Sequence, residues 1–329
     1  MCTAISFRSY DHYFGRNLDL HHHYNEAVII TPGSFKFRFV DGESVAAQYP
    51  MIGIGMVMDQ YPLYYDAVNA FGLCIAALNF PGNAVYHPIA DDKKNVASYE
   101  LIPWLLSCCK SVGQAKKRLQ DVNITNDSFS SAFPPSPLHW FICDKDASIT
   151  VESVDTGLKI YENPVGVLTN NPPFPYHLHN LCNYLNITSQ EPSNRFSDAL
   201  ELKPYSFGMG GMGLPGDLSS ASRFVRAAFT KENAVCNEDE ESSVSQFFHI
   251  LDSVSQTCGC VRFPEGFEKT VYSCCCNSTK GIYYYKTYDN SQICSVKLGS
   301  AHQESNALEI YPLRWKQQLY YEQEHAPSQ

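Results

Sequence analysis

The chain has 329 residues, of which 44% are hydrophobic and 18% charged, so it can bury a sizeable core and is not a disordered protein. Its net charge is −10 and its Lys and Arg residues are scattered, which argues against a nucleic-acid partner. No stretch approaches the roughly 18 apolar residues of a membrane span, and no basic start with an apolar run suggests a signal peptide.

Strand-like stretches fill the first 80 residues. Apolar and β-branched runs bounded by turn residues predict strands at 3–7, 13–20, 27–31, 35–40, 52–57 and 73–78. A helical stretch follows at 96–119; it is interrupted near Pro103 and restarts at Ser111, a residue type that caps helix N-termini. Strands return at 138–143, 149–154, 158–161 and 165–169.

The last third of the chain predicts two helices, 220–229 and 242–255. The second follows the acidic run 238–241, which suits the positive end of a helix dipole better than a metal site. Three strands close the pattern at 270–276, 281–287 and 293–297. Blocks of antiparallel strands alternating with helix pairs predict an α+β fold of layered sheets, in one domain that spans residues 1–329.

Cys2 directly follows Met1 and is small enough for Met1 to be removed, which leaves an amine and a thiol on one residue. The thiolate is a strong nucleophile and a terminal amine can act as a base near neutral pH, so one residue can supply both functions. Alone this is a weak signal, since most cysteines at position 2 are inert. Thirteen cysteines, an odd number, without a visible signal peptide predict a cytoplasmic protein with reduced thiols.

The run Tyr13-Phe-Gly-Arg-Asn-Leu-Asp-Leu20 strengthens the case for Cys2. A hairpin formed by the first two predicted strands brings Arg16 and Asp19 beside the first residues. A guanidinium near the sulfur favours the thiolate, and a carboxylate can hold the amine in place. The alternative is a strand end with a surface ion pair.

These residues resemble the choloylglycine hydrolases, the family of bile salt hydrolases and penicillin V acylases. The resemblance continues in family order from residue 1 to about 300, without a large gap. Besides Met-Cys-Thr and Phe-Gly-Arg-Asn-Leu-Asp, the blocks that carry it are Leu78-Asn-Phe-Pro-Gly82, Leu138-His-Trp-Phe-Ile142, Val165-Gly-Val-Leu-Thr-Asn-Asn-Pro-Pro-Phe174, Gly213-Leu-Pro-Gly-Asp-Leu-Ser-Ser-Ala-Ser-Arg-Phe224 and Lys280-Gly-Ile-Tyr-Tyr-Tyr-Lys-Thr-Tyr288.

The resemblance implies an N-terminal nucleophile hydrolase fold, a four-layer αββα sandwich of two antiparallel sheets, with Cys2 as the nucleophile. The other catalytic residues that it implies are Arg16, Asp19, Asn79, Asn170 and Arg223. The Asn170 side chain and the Asn79 backbone N–H are expected to bind the oxyanion, and Arg223 to add positive charge near it. The Cys2 amine is expected to act as acid and base. No metal or organic cofactor is implied.

The implied substrate is an amide that joins a bulky acyl group to a polar amine. Asn79 favours glycine- or taurine-conjugated bile salts, hydrolysed through a thioester acyl-enzyme, because penicillin V acylases typically have Tyr at this position. The implied lining of the acyl pocket is Leu18, Met58, Tyr65, Phe129 and Phe133, although each of these could instead be ordinary loop or core packing. A penicillin V acylase and a non-catalytic bile-salt-binding protein are the alternatives. Family resemblance also implies a homotetramer.

Four further motifs are interpreted as neither metal nor phosphate sites. Consecutive residues on a strand point to opposite faces, which argues against His21-His22-His23 and Cys274-Cys275-Cys276 as ligand sets. The pair Cys258-Gly-Cys260 lacks a second zinc-like pair. The glycine-rich run 208–213 lacks the Lys-Ser/Thr of a phosphate loop and predicts a flexible loop near the acyl pocket.

Overall fold

The computed structural model of the chain describes residues 1–264, 266–303 and 306–321. Its strands are β1 (Cys2–Arg8), β2 (His12–Leu20), β3 (Ala27–Thr31), β4 (Lys36–Arg38), β5 (Ser44–Ala46), β6 (Met51–Met58), β7 (Tyr61–Asn69), β8 (Cys74–Asn79), β9 (Lys94–Ala97), β10 (Val122–Thr125), β11 (Leu138–Cys143), β12 (Ser148–Val154), β13 (Gly157–Glu162), β14 (Val167–Leu168), β15 (Val261–Phe263), β16 (Gly266–Asn277), β17 (Ile282–Thr287), β18 (Asn290–Lys297) and β19 (Glu309–Pro312). Its helices are α1 (Leu101–Leu106), α2 (Val112–Arg118), α3 (Phe174–Leu181), α4 (Ser220–Asn233) and α5 (Glu240–Asp252).

Two antiparallel sheets form the centre of the structure. The first sheet has the strand order β14-β1-β2-β16-β17-β18, with β15 paired to β16. The second sheet has the order β13-β12-β11-β8-β7-β6-β3-β19. Helices α4 and α5 pack on the outer face of the first sheet, and α1 packs on the outer face of the second.

Strand β8 shows why the sequences of the central strands are unbroken apolar runs. Its residues Cys74, Ala76 and Leu78 lie in the core between the two sheets, whereas Ile75 and Ala77 lie in the core beneath α1. A strand with both faces buried needs apolar side chains at every position. The layers therefore follow the order helices, sheet, sheet, helices, which confirms the four-layer αββα arrangement.

The predicted helical stretch 96–119 is wrong at its beginning and in the position of its break. Residues Lys94–Ala97 form β9, which pairs with β10 in parallel. Pro103 does not interrupt a helix, because it lies in the first turn of α1, where its missing N–H has no intrahelical partner to lose. The predicted cap is confirmed, since the Ser111 side chain accepts a hydrogen bond from the Gln114 N–H at the start of α2.

Sequence patterns missed other elements for local reasons. Strand β7 contains Pro62 and Asp66, which break the apolar pattern of a buried strand. Helix α3 begins directly after Pro173, in a segment where two prolines suggest a turn. Short strands were missed as well: β5, β9, β10, β15 and β19. Within the described residues, no helix is long and apolar enough to cross a membrane.

Candidate active site

The predicted hairpin of β1 and β2 is present and brings the first two candidate residues to Cys2. Cys2 is the register partner of Leu18, and Ala4 is that of Arg16. Because side chains alternate along a strand, Arg16 and Leu18 face the second sheet together with Cys2. Asp19 faces the opposite way, toward helix α4.

Arg16 binds the Cys2 sulfur from a fully buried position. Its Nη2 donates to Cys2 Sγ at 2.6 Å, and its Nη1 donates to the carbonyls of Ala77 at 2.5 Å and Tyr65 at 3.1 Å. Burial alone disfavours a charged guanidinium, but the negative field of Cys2, followed by Tyr272 and Asp66, outweighs it and raises the pKa of Arg16. Arg16 is therefore a fixed positive charge beside the thiol.

A β-bulge makes room for this guanidinium. Tyr64 pairs with Gly55 and Asp66 pairs with Ile54, so Tyr65 has no register partner on β6. The extra residue re-aims the strand, as bulges beside active sites commonly do. It exposes the Tyr65 carbonyl to Arg16 and turns the Asp66 side chain into the core between the sheets.

Asp19 is a buried carboxylate with one oxygen available for a new donor. Its Oδ1 accepts a hydrogen bond from Thr270 Oγ1 at 2.7 Å. Its Oδ2 lies 4.0 Å from Arg223 Nη1 and accepts no hydrogen bond within the described part of the chain. Burial raises the pKa of Asp19, with Arg223 and the nearby terminal amine opposing the effect. Oδ2 is therefore placed to hold an ammonium group.

Met1 occupies the space beyond Cys2 in this structure. Its amine donates to the Asp19 carbonyl at 2.8 Å and pairs with the Glu268 carboxylate. Burial lowers the pKa of this amine, although the negative charges of Cys2 and Asp19 act to raise it. A cavity of about 570 Å³ opens beside Met1, with Ser219 and Arg262 in its wall. Loss of Met1 would place the amine of Cys2 next to this cavity.

The Asn170 side chain joins three parts of the site. Its Oδ1 accepts from the Cys2 N–H and from Arg223 Nη2, each at 2.8 Å, and its Nδ2 donates to the Asn79 carbonyl at 2.7 Å. The Phe80 N–H donates to the Pro137 carbonyl on the β11 side, so strand alternation points the N–H and C=O of Asn79 to the other side of β8, where Asn170 lies. The two predicted oxyanion donors thus lie on one side of β8.

Arg223 reaches Cys2 from the first turn of α4. Its Nη1 donates to the Cys2 carbonyl and to Thr3 Oγ1, both at 2.5 Å, and its Nε donates to the Leu218 carbonyl at 3.1 Å. It is fully buried, and this burial lowers its pKa although Asp19 opposes the effect. The six candidate catalytic residues, separated by up to 221 positions in sequence, therefore form one connected site.

Sequence reasoning missed the residues that hold this site in place. Thr3 and Thr270 are buried polar side chains within strands, and each bonds a charged candidate residue, Arg223 and Asp19 respectively. His139 and His177 bond the carbonyls of Thr169 and Asn170, each at 2.9 Å, and fix the turn that carries Asn170. Their only sequence signal is the presence of polar residues inside apolar runs, which does not identify a partner.

Two of the five candidate pocket residues lie next to the thiol, and the other three lie toward the outer end of the β6–β7 hairpin. Leu18 and Tyr65 are adjacent to the Cys2–Arg16 pair, and Met58 is the register partner of Tyr61 at the outer end of the β6–β7 hairpin. The ring of Phe129 lies 5.7 Å from that of Tyr61 and 5.4 Å from that of Tyr99. Phe133 closes the same loop, since its carbonyl accepts from the Phe129 N–H at 3.2 Å.

Comparisons with known proteins agree with this geometry. Residues 2–311 match the sequence model of the family described as linear amide C-N hydrolases, choloylglycine hydrolase family. The chain is 54% identical over 321 residues to a bile salt hydrolase/transferase of Lactiplantibacillus plantarum, which covers 97% of this chain and 99% of that protein.

Solved structures match over nearly the whole chain. A crystal structure of conjugated bile acid hydrolase from Clostridium perfringens, in which Ala replaces the cysteine at position 2, superposes with a TM-score of 0.90 at 32% identity, over 98% of this chain and 100% of that one. Penicillin V acylase from Agrobacterium tumefaciens superposes with a TM-score of 0.74 at 16% identity, over 94% of this chain and 90% of that one. The likeness confirms the predicted N-terminal nucleophile hydrolase fold.

Proposed function

This chain belongs to the choloylglycine hydrolase family of linear amide C–N hydrolases, and we propose that it hydrolyses glycine- or taurine-conjugated bile salts with Cys2 as the nucleophile. The observation that carries the proposal is the buried Cys2 thiol with Arg16 Nη2 at 2.6 Å, in a chain 54% identical to a bile salt hydrolase/transferase. The products are a free bile acid and glycine or taurine.

The first step is attack of the Cys2 thiolate on the amide carbonyl carbon. The C–S bond forms and the carbonyl oxygen becomes an oxyanion. The second N–H of Asn170 Nδ2 and the backbone N–H of Asn79 would bind it, which the hydrogen bond between Asn170 Nδ2 and the Asn79 carbonyl supports. Each such donor contributes about 3–4 kcal/mol in comparable enzymes.

Collapse of this intermediate requires a proton for the leaving nitrogen. Once Met1 is removed, the Cys2 amine can donate that proton as the C–N bond breaks, leaving a thioester on Cys2. The same amine then takes a proton from water as the water attacks the thioester carbon; the C–S bond breaks, which releases the bile acid and regenerates the Cys2 thiolate. Asp19 Oδ2 is the acceptor that holds the amine in position.

The acyl half of a bile salt needs a long, apolar pocket with few polar anchors. The residues implied for such a surface are Leu18, Met58, Tyr65, Phe129 and Phe133, of which Leu18 and Tyr65 lie beside the Cys2–Arg16 pair. The steroid would contact these side chains, with its amide at Cys2.

Release of glycine or taurine from glycocholate and taurocholate tests the proposal directly. We expect product from the wild type and none above background from Cys2→Ala, with penicillin V turned over at a lower kcat/KM. Undiminished activity of Cys2→Ala contradicts the nucleophile assignment. Binding of glycocholate without any product supports a non-catalytic binding protein, and a higher kcat/KM for penicillin V supports an acylase.

Removal of Met1 is a separate requirement of this mechanism. With Met1 in place, the amine nearest the thiol belongs to Met1 and the Cys2 nitrogen is an amide. We expect intact-mass measurement of active protein to show the loss of one Met. Full activity in a preparation that retains Met1 contradicts the role of the Cys2 amine.

Acyl transfer is a second candidate activity, because the Lactiplantibacillus plantarum relative is named a hydrolase and a transferase. In this reaction an amine attacks the thioester in place of water. Incubation of the enzyme with glycocholate and free taurine would form taurocholate, which mass spectrometry separates from cholate. Cholate alone at all taurine concentrations contradicts transfer.

We also propose that the protein is a homotetramer in the cytoplasm. Side chains of the segment 185–212 present a large exposed apolar surface, with Leu185 84%, Phe196 82%, Tyr205 82% and Phe207 95% exposed. A surface of this kind favours burial against another subunit. Light scattering should give a mass four times the 37.0 kDa of one chain.

The proposed cytoplasmic location is supported by the thirteen cysteines, all of which are unpaired, as expected in a reducing compartment. Recovery of activity outside the cytoplasmic fraction would contradict this location.

A further inference from the structure

Asp66 is a buried carboxylate next to the active site that the mechanism above does not use. It lies on β7, and side chains of the opposite sheet hold both of its oxygens. Tyr272 on β16 donates to Oδ2 at 2.7 Å, Tyr283 on β17 donates to Oδ1, and the Cys274 sulfur lies 3.7 Å from Oδ1. Burial raises the pKa of Asp66, and Arg16 is the largest of the opposing influences.

The Arg16 guanidinium bonds the Cys2 sulfur through Nη2 and, through Nη1, the carbonyl of Tyr65, the residue next to Asp66. The groups that act on Arg16 are Cys2 from β1, Asp66 from β7, and Tyr272 and Cys274 from β16. Those around Asp66 are Arg16 from β2, Tyr283 from β17, and Tyr272, Cys274 and Cys276 from β16. When Cys2 is a neutral thiol, Arg16 and Asp66 balance each other. When Cys2 ionises, two anions share one cation.

The bulge on β7 creates this arrangement. Tyr64 and Asp66 are two positions apart and would share a face on a regular strand. The unpaired Tyr65 between them turns Tyr64 toward Thr31, on the outer side of the second sheet, and Asp66 toward Tyr272 and Tyr283 of the opposite sheet. The same residue thus supplies a carbonyl to Arg16 and orients the carboxylate behind it.

We propose that Asp66 is a positioning residue that takes up part of the charge of Arg16, so that the Cys2 thiolate is stabilised less and is a stronger nucleophile. The inference rests on the proposed role of Cys2. A thiolate that is stabilised too strongly forms readily but attacks slowly, because nucleophilicity falls with basicity. Asp66 sets the balance between these two effects without contacting the substrate.

The test is the pH dependence of iodoacetamide alkylation at Cys2, followed on the N-terminal peptide by mass spectrometry. For Asp66→Asn we expect the alkylation midpoint to fall by about one pH unit, the size of effect that a nearby charge has on a buried group. We expect the rate at high pH to fall several-fold, and the acid limb of kcat/KM to move with the midpoint. An unmoved midpoint, or one that rises, overturns the proposal even if activity is lost.

Two variants separate charge from packing. Asp66→Glu keeps the charge and should keep a midpoint close to that of the wild type. Tyr64→Phe loses a buried hydrogen bond to Thr31 on the other face of β7 and should leave the midpoint unmoved. If Asp66→Asn does not fold, Tyr272→Phe replaces it, because loss of this donor raises the pKa of Asp66 and should lower the midpoint by a smaller amount; an unmoved midpoint again overturns the proposal.

Alkylation needs no bile salt. A protein inactive on bile salts but with the expected shift would therefore contradict the proposed function alone, and the role of Asp66 would stand.

Discussion

The main-chain nitrogen of Cys2 donates to Oδ1 of Asn170 at 2.8 Å, a bond that joins residues 168 positions apart. This bond fixes the orientation of the Asn170 amide, because the oxygen toward Cys2 leaves Nδ2 toward Asn79. The nitrogen, and not the oxygen, therefore points toward Asn79, where the proposed mechanism develops negative charge. We expect the bond to persist after loss of Met1, since a terminal amine at Cys2 remains a donor.

Asn170→Ala should therefore lower kcat by a factor of about 100–1,000, the usual loss for one oxyanion donor. KM for glycocholate should change much less, since the side chain acts on the transition state. Steady-state kinetics measure both. The matched control is Asn171→Ala, whose side chain donates to the Pro81 carbonyl at 2.6 Å. A loss in the control as large as that in Asn170→Ala would show that the turn, not the donor, matters.

Arg223 and Asp19 should be coupled in stability. Arg223→Gln removes the guanidinium 4.0 Å from the buried Asp19 carboxylate and removes the donors to Cys2 and Thr3. Breaking a buried charge pair in this way costs about 3–5 kcal/mol of unfolding free energy. Urea denaturation of Arg223→Gln should show this loss.

A double-mutant cycle with Asp19→Asn separates the pair from its surroundings. The double variant should lose less than the sum of the two single losses, because it no longer buries an unpaired charge. Arg226→Gln, three residues further along α4, is the control, since its partners are the carbonyls of Ser253, Pro215 and Asp217. Strict additivity between Arg223 and Asp19 would contradict the coupling.

Local patterns were sufficient to predict the hairpin that carries Arg16 and Asp19. The two strands are close in sequence, and their period-2 pattern and short connection determine the register. Asn79, Asn170 and Arg223 could not be found in this way, because their contacts with Cys2 and with one another span 53 to 221 positions. Only resemblance to a family connected them to Cys2.

The bulge at Tyr65 shows a second limit of sequence reasoning. A regular strand over 61–69 would place Asp66 on the same face as Tyr64, under α1 and away from Arg16. The unpaired Tyr65 turns Asp66 to the other face of the strand. Whether a residue is unpaired depends on how two strands pair with each other, so it cannot be predicted from the sequence of one strand. The outer helix α3 was missed for a simpler reason, since proline before a helix and proline in a turn look alike.

Glu100 should make stability depend on pH. Burial raises its pKa to about 7 from an ordinary 4.5, although the N–H groups of Ala97 and Val40 donate to the carboxylate and oppose the shift. Between these two pH values the folded protein binds more protons than the unfolded chain, so stability falls as pH rises. The loss at Glu100 should amount to about 3 kcal/mol by pH 8.

Glu100→Gln isolates this contribution from that of other groups. The variant cannot titrate at this position. The difference in unfolding free energy between wild type and variant should therefore fall between pH 4.5 and 7 and then level off. Urea denaturation at several pH values measures the difference. A difference that stays constant, or that rises with pH, contradicts the raised pKa of Glu100.

Gly55 should be essential for the bulge that accommodates Arg16. A Cβ at this position would lie 2.2 Å from the Leu63 carbonyl oxygen and 2.9 Å from the Tyr64 Cα, both backbone atoms that cannot rotate away. Gly55→Ala must therefore push β7 aside and displace the Tyr65 carbonyl from Arg16. We expect a loss of at least about 2 kcal/mol in unfolding free energy, typical of overpacking in a core, together with at least a tenfold lower kcat/KM.

Gly113→Ala is the control for Gly55→Ala, because its Cβ would have only Ser111 Oγ nearby, at 3.9 Å, and alanine should stabilise α2 slightly. Normal activity and stability in Gly55→Ala would mean that β6 and β7 pair without this close approach.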